Sequence, residues 1–214
     1  MYNAPMEEKK NVLRIEDGKV IKIFASHLDY ITESRIYDKL EDTGLCPPLL
    51  YRGADTIEHA YAEGPLLFDE LIKAVEDEQR LQHLFAVFIA WYGEFRRVAG
   101  CSLEHIDFRD FVLQGERLVC VDFEACKPDF IESDLVKLAA QMYLVPKPFS
   151  REAERVCRLF VRQAAQRFSL SPELFSSRMK AELARICGLL GIDHDAETAE
   201  AFSERLAELI KGSR

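Results

Sequence analysis

Two short apolar runs in the middle of the chain carry carboxylates at both ends. His105-Ile106-Asp107-Phe108-Arg109-Asp110-Phe111-Val112-Leu113 is followed, after a Gln114-Gly115-Glu116 turn, by Leu118-Val119-Cys120-Val121-Asp122-Phe123-Glu124. Apolar runs around a glycine turn predict a β-hairpin. Asp107 and Asp110 lie just before it, and Asp122 and Glu124 close it. Carboxylates crowded in this way repel one another unless they share a cation or a proton. Hard oxygen ligands on short strands and loops are what Mg²⁺ uses when a protein and a phosphate hold it jointly. The chemistry this points to is phosphoryl transfer.

In this order the residues resemble the catalytic core of the protein-kinase-like superfamily. His105-x-Asp107, a short strand and then Asp122-Phe123-Glu124 resemble in particular the aminoglycoside and choline phosphotransferase branch, which has a DFE-type triplet where protein kinases have DFG. Val20-Ile21-Lys22-Ile23 is similar to the strand that carries the phosphate-contacting lysine. Glu33 sits where the paired helix glutamate belongs, and Tyr61-Ala62-Glu63-Gly64-Pro65 falls where the chain crosses between lobes. The resemblance spans roughly residues 11 to 145.

The resemblance implies an α+β, protein-kinase-like bilobal fold. Residues 1–63 would form a small, truncated, β-rich N-lobe of order β-β-α-β-β. Residues 64–214 would form a larger, mainly helical C-lobe holding the catalytic loop and the metal-binding hairpin. It implies ATP and Mg²⁺ as cofactors, with Lys22 and Glu33 setting the phosphates. Tyr61 and Glu63 belong to the segment whose backbone would hold the adenine. Asp107 would accept or orient the proton of the acceptor hydroxyl, and Asp110 and Asp122 would hold the metal. The acceptor would be a small molecule or a protein side chain.

Two features depart from the family pattern. No glycine-rich phosphate loop is visible, since the only glycine before Lys22 is Gly18 in the Glu16-Asp17-Gly18-Lys19 turn. The catalytic loop is also short. Four residues separate the family's aspartate from its metal-binding asparagine, which lands on Val112 here; counting back from Asp122 lands on Asp110, with two residues deleted. A carboxylate can replace an amide oxygen on Mg²⁺ and a valine cannot, so Asp110 is the expected ligand. The same departures define a second expectation, an inactive, pseudokinase-type scaffold that binds partners.

The other candidates have plainer readings. Alone, Lys22 is a solvent-facing lysine on a half-exposed strand; Glu33 at a suitable spacing favours the phosphate role. An acid ending the buried run Val119-Cys120-Val121 needs a ligand or a cap, which makes Asp122 the leading metal residue. Glu124 reads as a structural partner for Arg109 or Lys127 rather than a second ligand, and Arg109 as either a neutraliser of the acids or a phosphate contact. His105 resembles the family histidine whose ring bonds backbone near the metal aspartate. Ser133 or Asp134 should cap the next helix. The Phe85, Phe88, Trp91, Tyr92 and Phe95 stripe should be core.

The elements that must position these residues follow from periodicity. A hairpin is predicted around Asp17-Gly18, then a helix capped by Ser26 with Leu28, Ile31, Ile36 and Leu40 on one side, then strands over residues 49–51 and 56–62. Helices follow at about 67–75, 76–98, 133–144, 150–168, 171–190 and 196–211, the fifth opened by Ser171-Pro172. At 214 residues the chain can bury a sizeable core. A formal net charge of −9 disfavours nucleic acid and anionic membrane as partners. Arg151, Arg155, Arg158 and Arg162 recur at helical spacing and read as a solvated face. Six scattered cysteines without a CxxC pair suit free thiols, and with no leader or long apolar run the expected location is the cytoplasm. Cys120 and Cys126 flank the Asp122 triplet, and both read as core fillers.

Overall fold

The computed structural model describes residues 11–144, 147–191 and 196–213. The first ten residues of the expected N-lobe therefore lie outside the described residues. Strands β1 (Val12–Glu16) and β2 (Lys19–Ile23) precede helix α1 (His27–Leu40), and β3 (Leu49–Arg52) and β4 (Thr56–Ala60) follow it. They form one antiparallel sheet of order β1-β2-β4-β3. Among the described residues the rest is mostly helical: α2 (Leu67–Lys73), α3 (Glu78–Ala99), α4 (Ile131–Leu144), α5 (Arg151–Arg167), α6 (Pro172–Leu190) and α7 (Ala196–Lys211). Between α3 and α4 run β5 (Ser102–Leu103), a 3₁₀ turn (Phe108–Asp110), the hairpin β6 (Phe111–Gln114) and β7 (Arg117–Cys120), and β8 (Cys126–Lys127). The fold is thus α+β, with a small sheet and one helix first and a larger helical part after it, as the sequence leads one to expect.

Local chemistry explains the boundaries. Ser26, Asp77, Ser150 and Ser171 cap α1, α3, α5 and α6, each side chain accepting from a backbone N–H three residues on. Helix α3 supplies the core of the helical part. Phe85, Phe88, Trp91, Tyr92 and Phe95 are buried, and Phe88 packs edge-on against Phe108 and Phe111 at ring separations of 5.2 and 5.3 Å. The hairpin that carries the acids is thereby seated on the buried aromatic face of α3.

Glycine is required where the chain leaves the sheet. Gly64 has φ +146°, and a Cβ there would lie 1.9 Å from the carbonyl oxygen of Leu113. The close approach lets Leu113 N–H donate to Pro65 O at 2.9 Å and Leu66 pair with Val112. Gly64→Ala is expected to cost roughly 3 kcal/mol, since strain and a backbone clash add. Chemical denaturation of the variant checks this.

Helix α4 departs from expectation. It starts at Ile131, two residues before Ser133, so neither Ser133 nor Asp134 caps it. Ser133 Oγ instead accepts from Arg178, and Asp134 turns inward. Asp134 Oδ2 accepts from Tyr92 O–H at 2.6 Å and from Leu103 N–H at 2.8 Å. Burial raises its carboxyl to about 6, against the lowering effect of those two bonds. The acid thus anchors β5, and with it the loop leading to Asp107, to α3 and α4.

Tyr92→Phe should cost roughly 1–3 kcal/mol, because a buried carboxylate loses a donor. Its thermal midpoint should fall most above pH 6, where Asp134 is ionised.

Candidate active site

Lys22 sits mid-strand on β2, and α1 places Glu33 beneath it. The ammonium is 2.7 Å from Glu33 Oε2, 2.8 Å from Asp122 Oδ1 and 3.0 Å from Glu124 Oε2. The lysine is 5% exposed and Glu33 0%, which excludes the solvent-facing reading of Lys22. Glu33 Oε2 also accepts from Phe123 N–H at 3.2 Å, so the sheet part and the Asp122 triplet are tied at one point. Burial opposes the charge on Lys22, but Glu33 and Asp122 outweigh it and raise its pKa well above the ordinary lysine range. Burial pushes the Glu33 carboxyl up, and the ammonium pulls it back. One cation thus faces three carboxylates. Sequence reasoning paired Glu124 with Arg109 or Lys127; the structure pairs it with Lys22, because Lys127 is drawn to Glu104 and Arg109 to Asp107.

A cleft of about 910 Å³ opens in front of this cluster. Leu13 lies opposite Lys22 and Ile15 opposite Val20 in the β1–β2 ladder, so all four share the sheet face that lines the cleft. Leu66, Val112 and Val121 line the other side. The walls form an apolar slot with charges at one end.

The ends of the slot are set by topology. Asp17 and Gly18 have φ of +47° and +73°, a two-residue hairpin turn, and Gly18 O accepts from Tyr61 N–H at 2.8 Å. That turn therefore closes the end at Tyr61, where Ala62 and Gly64 also line the cleft, and not the charged end. The Tyr61 N–H is spent on Gly18, and Glu63 is exposed and does not line the cleft. The charged end is faced by the start of β1. Asn11 accepts from Ala25 N–H at 2.9 Å through Oδ1 and donates to Glu124 through Nδ2. Sequence reasoning missed Asn11, because no local pattern marks an asparagine that bridges segments more than a hundred residues apart.

Asp110 and Asp122 both line the cleft beside exposed His105. Asp110 is pushed up to about 7, first by burial and then by the charges of Asp122 and Asp107. His105 makes no backbone bond through its ring among the described residues, unlike the expected family histidine.

Asp107 is placed differently from its neighbours. It caps the 3₁₀ turn by accepting from Arg109 N–H at 2.8 Å, and its carboxylate takes the Arg109 guanidinium through Nε at 3.0 and 3.1 Å and Nη2 at 2.5 Å. Burial pushes Asp107 up, but these bonds win and hold it below its ordinary range. Asp107 is absent from the cleft lining, whereas Asp110 is present. Asp107 caps the 3₁₀ turn and Asp110 ends it, so the two side chains leave the turn at opposite ends.

The donor set fits a small hard cation. Glu33, Asp122 and Glu124 bring carboxylate oxygens within 4.8 Å of one another, a group that does not include Asp110, and the buried Oε1 of Glu33 has no hydrogen-bond partner. Oxygen ligands with excess negative charge suit Mg²⁺.

The sequence matches no protein-family model, and a search of curated proteins found no match. Among solved structures the chain is similar to a choline/ethanolamine kinase family protein from Mesorhizobium loti. The two share 14% sequence identity over 91% of this chain and 90% of that one, with a TM-score of 0.45. No helix among the described residues is long and apolar enough to cross a membrane.

Proposed function

We propose that the protein is a nucleotide-dependent phosphotransferase that moves the γ-phosphate of ATP, with Mg²⁺, to a hydroxyl of a small molecule or a protein. The observation that carries this reading is the buried Lys22–Glu33 pair meeting Asp122 at the charged end of an apolar slot. In this reading residues 11–63 roof the nucleotide and residues 64–213 carry the chemistry. The slot between Val20 and Val112 would take the adenine, with backbone from Ala62 to Gly64 at its edge. Lys22, steadied by Glu33, would meet the phosphates. Asp110 and Asp122 would hold Mg²⁺, whose charge would offset that of the phosphates and of the acids. Asp107 would orient the acceptor hydroxyl once Arg109 yields to substrate.

Charge makes the cation indispensable. The cleft presents Lys22 against Asp29, Asp110, Asp122 and Glu124, so a nucleotide polyanion entering alone meets net repulsion. The test is transfer of labelled γ-phosphate to a panel of hydroxyl compounds, and to protein, with and without Mg²⁺. Transfer that needs Mg²⁺ and disappears in Asp122→Asn supports the reading.

A second reading rests on Asp107. Its carboxylate is already bound by Arg109 and lies outside the cleft lining. A protein that binds Mg²⁺-nucleotide, transfers nothing to any acceptor and is unaffected by Asp107→Asn would be a pseudokinase-type scaffold.

A further inference from the structure

We infer that a trough between α3 and α5 docks an acidic amphipathic helix of a partner protein. The trough consists of two recesses, of about 330 and 750 Å³, that share Leu159 and Arg162 in their walls. None of its residues lines the cleft, so the inference holds whether or not that cleft transfers phosphate.

The charge of the trough runs against that of the chain. Formal net charge is −9, yet Arg151, Arg155, Arg158, Arg162 and Arg167 all line the trough, against the acids Glu78 and Glu154. Both acids are already engaged. Glu78 lies 3.7 Å from Arg155 and accepts from Gln82 at 3.2 Å, and Glu154 lies 3.6 Å from Arg158 and 3.2 Å from Arg205. Arg155 also donates to Val75 O, which fixes its position. Arg151, Arg162 and Arg167 are exposed and meet no carboxylate among the described residues. Like charges three and four residues apart on a helix cost stability. An anionic partner laid along α5 would offset that repulsion, which the chain itself leaves standing.

The floor decides the kind of partner. Buried Ile89 and Leu159 lie at its base, and exposed Ala86 and Ala90 leave room for side chains from outside. Gln163 Nε2 donates to Gln82 O at 3.2 Å and ties the two walls together. An apolar floor edged by arginine suits a protein partner, since arginine is enriched in protein–protein interfaces. Single-stranded nucleic acid would stack its bases on aromatic side chains, and no Phe, Tyr or Trp lines the trough. Two packed helices present a groove that accepts the ridge of a third. From Arg151 to Arg167, α5 runs about 24 Å, which matches an occupant of about four turns. Its apolar face would meet the floor and its carboxylates the unpaired arginines.

The full chain is titrated into a fluorescein-labelled synthetic helix of about four turns, with leucine on one face and glutamate on the other. Fluorescence anisotropy is expected to show saturable binding that weakens as sodium chloride is raised. Arg151→Glu with Arg162→Glu should weaken it about tenfold or more, with the thermal midpoint unchanged because both side chains are exposed and unpaired. Ala90→Trp should weaken it too, by filling the floor. No binding at low salt, or an affinity that the double reversal leaves unmoved, would overturn the proposal. So would equal binding of a polyglutamate chain of the same charge, or tighter binding of single-stranded RNA. Self-association of the chain that the double reversal abolishes would overturn it as well, by giving the trough to a second copy. The salt series and the polyglutamate and RNA comparisons use the wild-type chain, so they decide the matter even if a variant folds poorly.

Discussion

Replacing Lys22 with methionine is expected to destabilise the protein by roughly 3–5 kcal/mol, because the lysine is the shared cation of three carboxylates. Methionine keeps most of the volume of the side chain, so packing loss contributes little. What remains is Glu33 buried without a counter-charge, facing Asp122 and Glu124. For a chain of this size the thermal midpoint should drop by roughly 10 °C. Two controls separate charge from packing. The loss should shrink as pH falls below about 7, where Glu33 takes a proton, and Lys22→Met with Glu33→Gln should recover part of the stability. A Lys22→Met protein as stable as wild type at pH 8 would show that the lysine does not balance this cluster.

The second large effect is a pH dependence carried by Asp110. Its carboxyl is raised from 3.8 to about 7 in the folded protein, so folding favours the protonated form. A raised acid contributes stability that is present at low pH and lost as pH rises from the unfolded to the folded pKa. The metal-free protein should therefore lose up to about 4 kcal/mol between about pH 4 and pH 7, and change little above that. Mg²⁺ needs the ionised carboxylate, so its apparent affinity should fall about tenfold for each pH step below 7. Asp110→Asn should remove the share of the fall that Asp110 carries, leaving the shares of Glu33 and Asp134, and should leave little response to Mg²⁺. Denaturation series from pH 4.5 to 8.5, with and without Mg²⁺, measure them together. A wild-type profile that rises with pH across this window would contradict the placement of Asp110.

Much of this site is legible in the sequence because its parts are local. Lys22 lies in an apolar strand, Glu33 one helix later, and Asp122 ends a buried run, and the structure brings these three together. Helix starts at Ser150 and Ser171 are readable for the same reason, since capping is written within four residues. What resists reading is long-range. The two-residue strands β5 and β8 have no periodicity to detect, yet they pair Ser102 with Lys127 and Leu103 with Cys126. Asp134 has the sequence signature of a helix cap and serves Tyr92 and Leu103 instead, because burial next to α3 offers it better donors. The resemblance gives Asp107 the acceptor hydroxyl and Asp110 the metal, but the sequence does not show that the 3₁₀ turn directs Asp107 to Arg109 and Asp110 to the cleft. The hairpin turn at Gly18 stands near Lys22 in sequence, but the β1–β2 register carries it to the Tyr61 end.

The central claim is that the slot and its acids bind a nucleotide together with a divalent cation. It is tested most directly by the thermal midpoint of wild type and Asp122→Asn with ATP, in the presence and absence of Mg²⁺. At about a hundred times its dissociation constant, a ligand specific to the folded state adds roughly 2.7 kcal/mol. The account predicts a wild-type rise of roughly 5–10 °C that requires Mg²⁺ and is lost in the variant. A wild-type midpoint unmoved by ATP with Mg²⁺, or an equal rise without the metal, would contradict it.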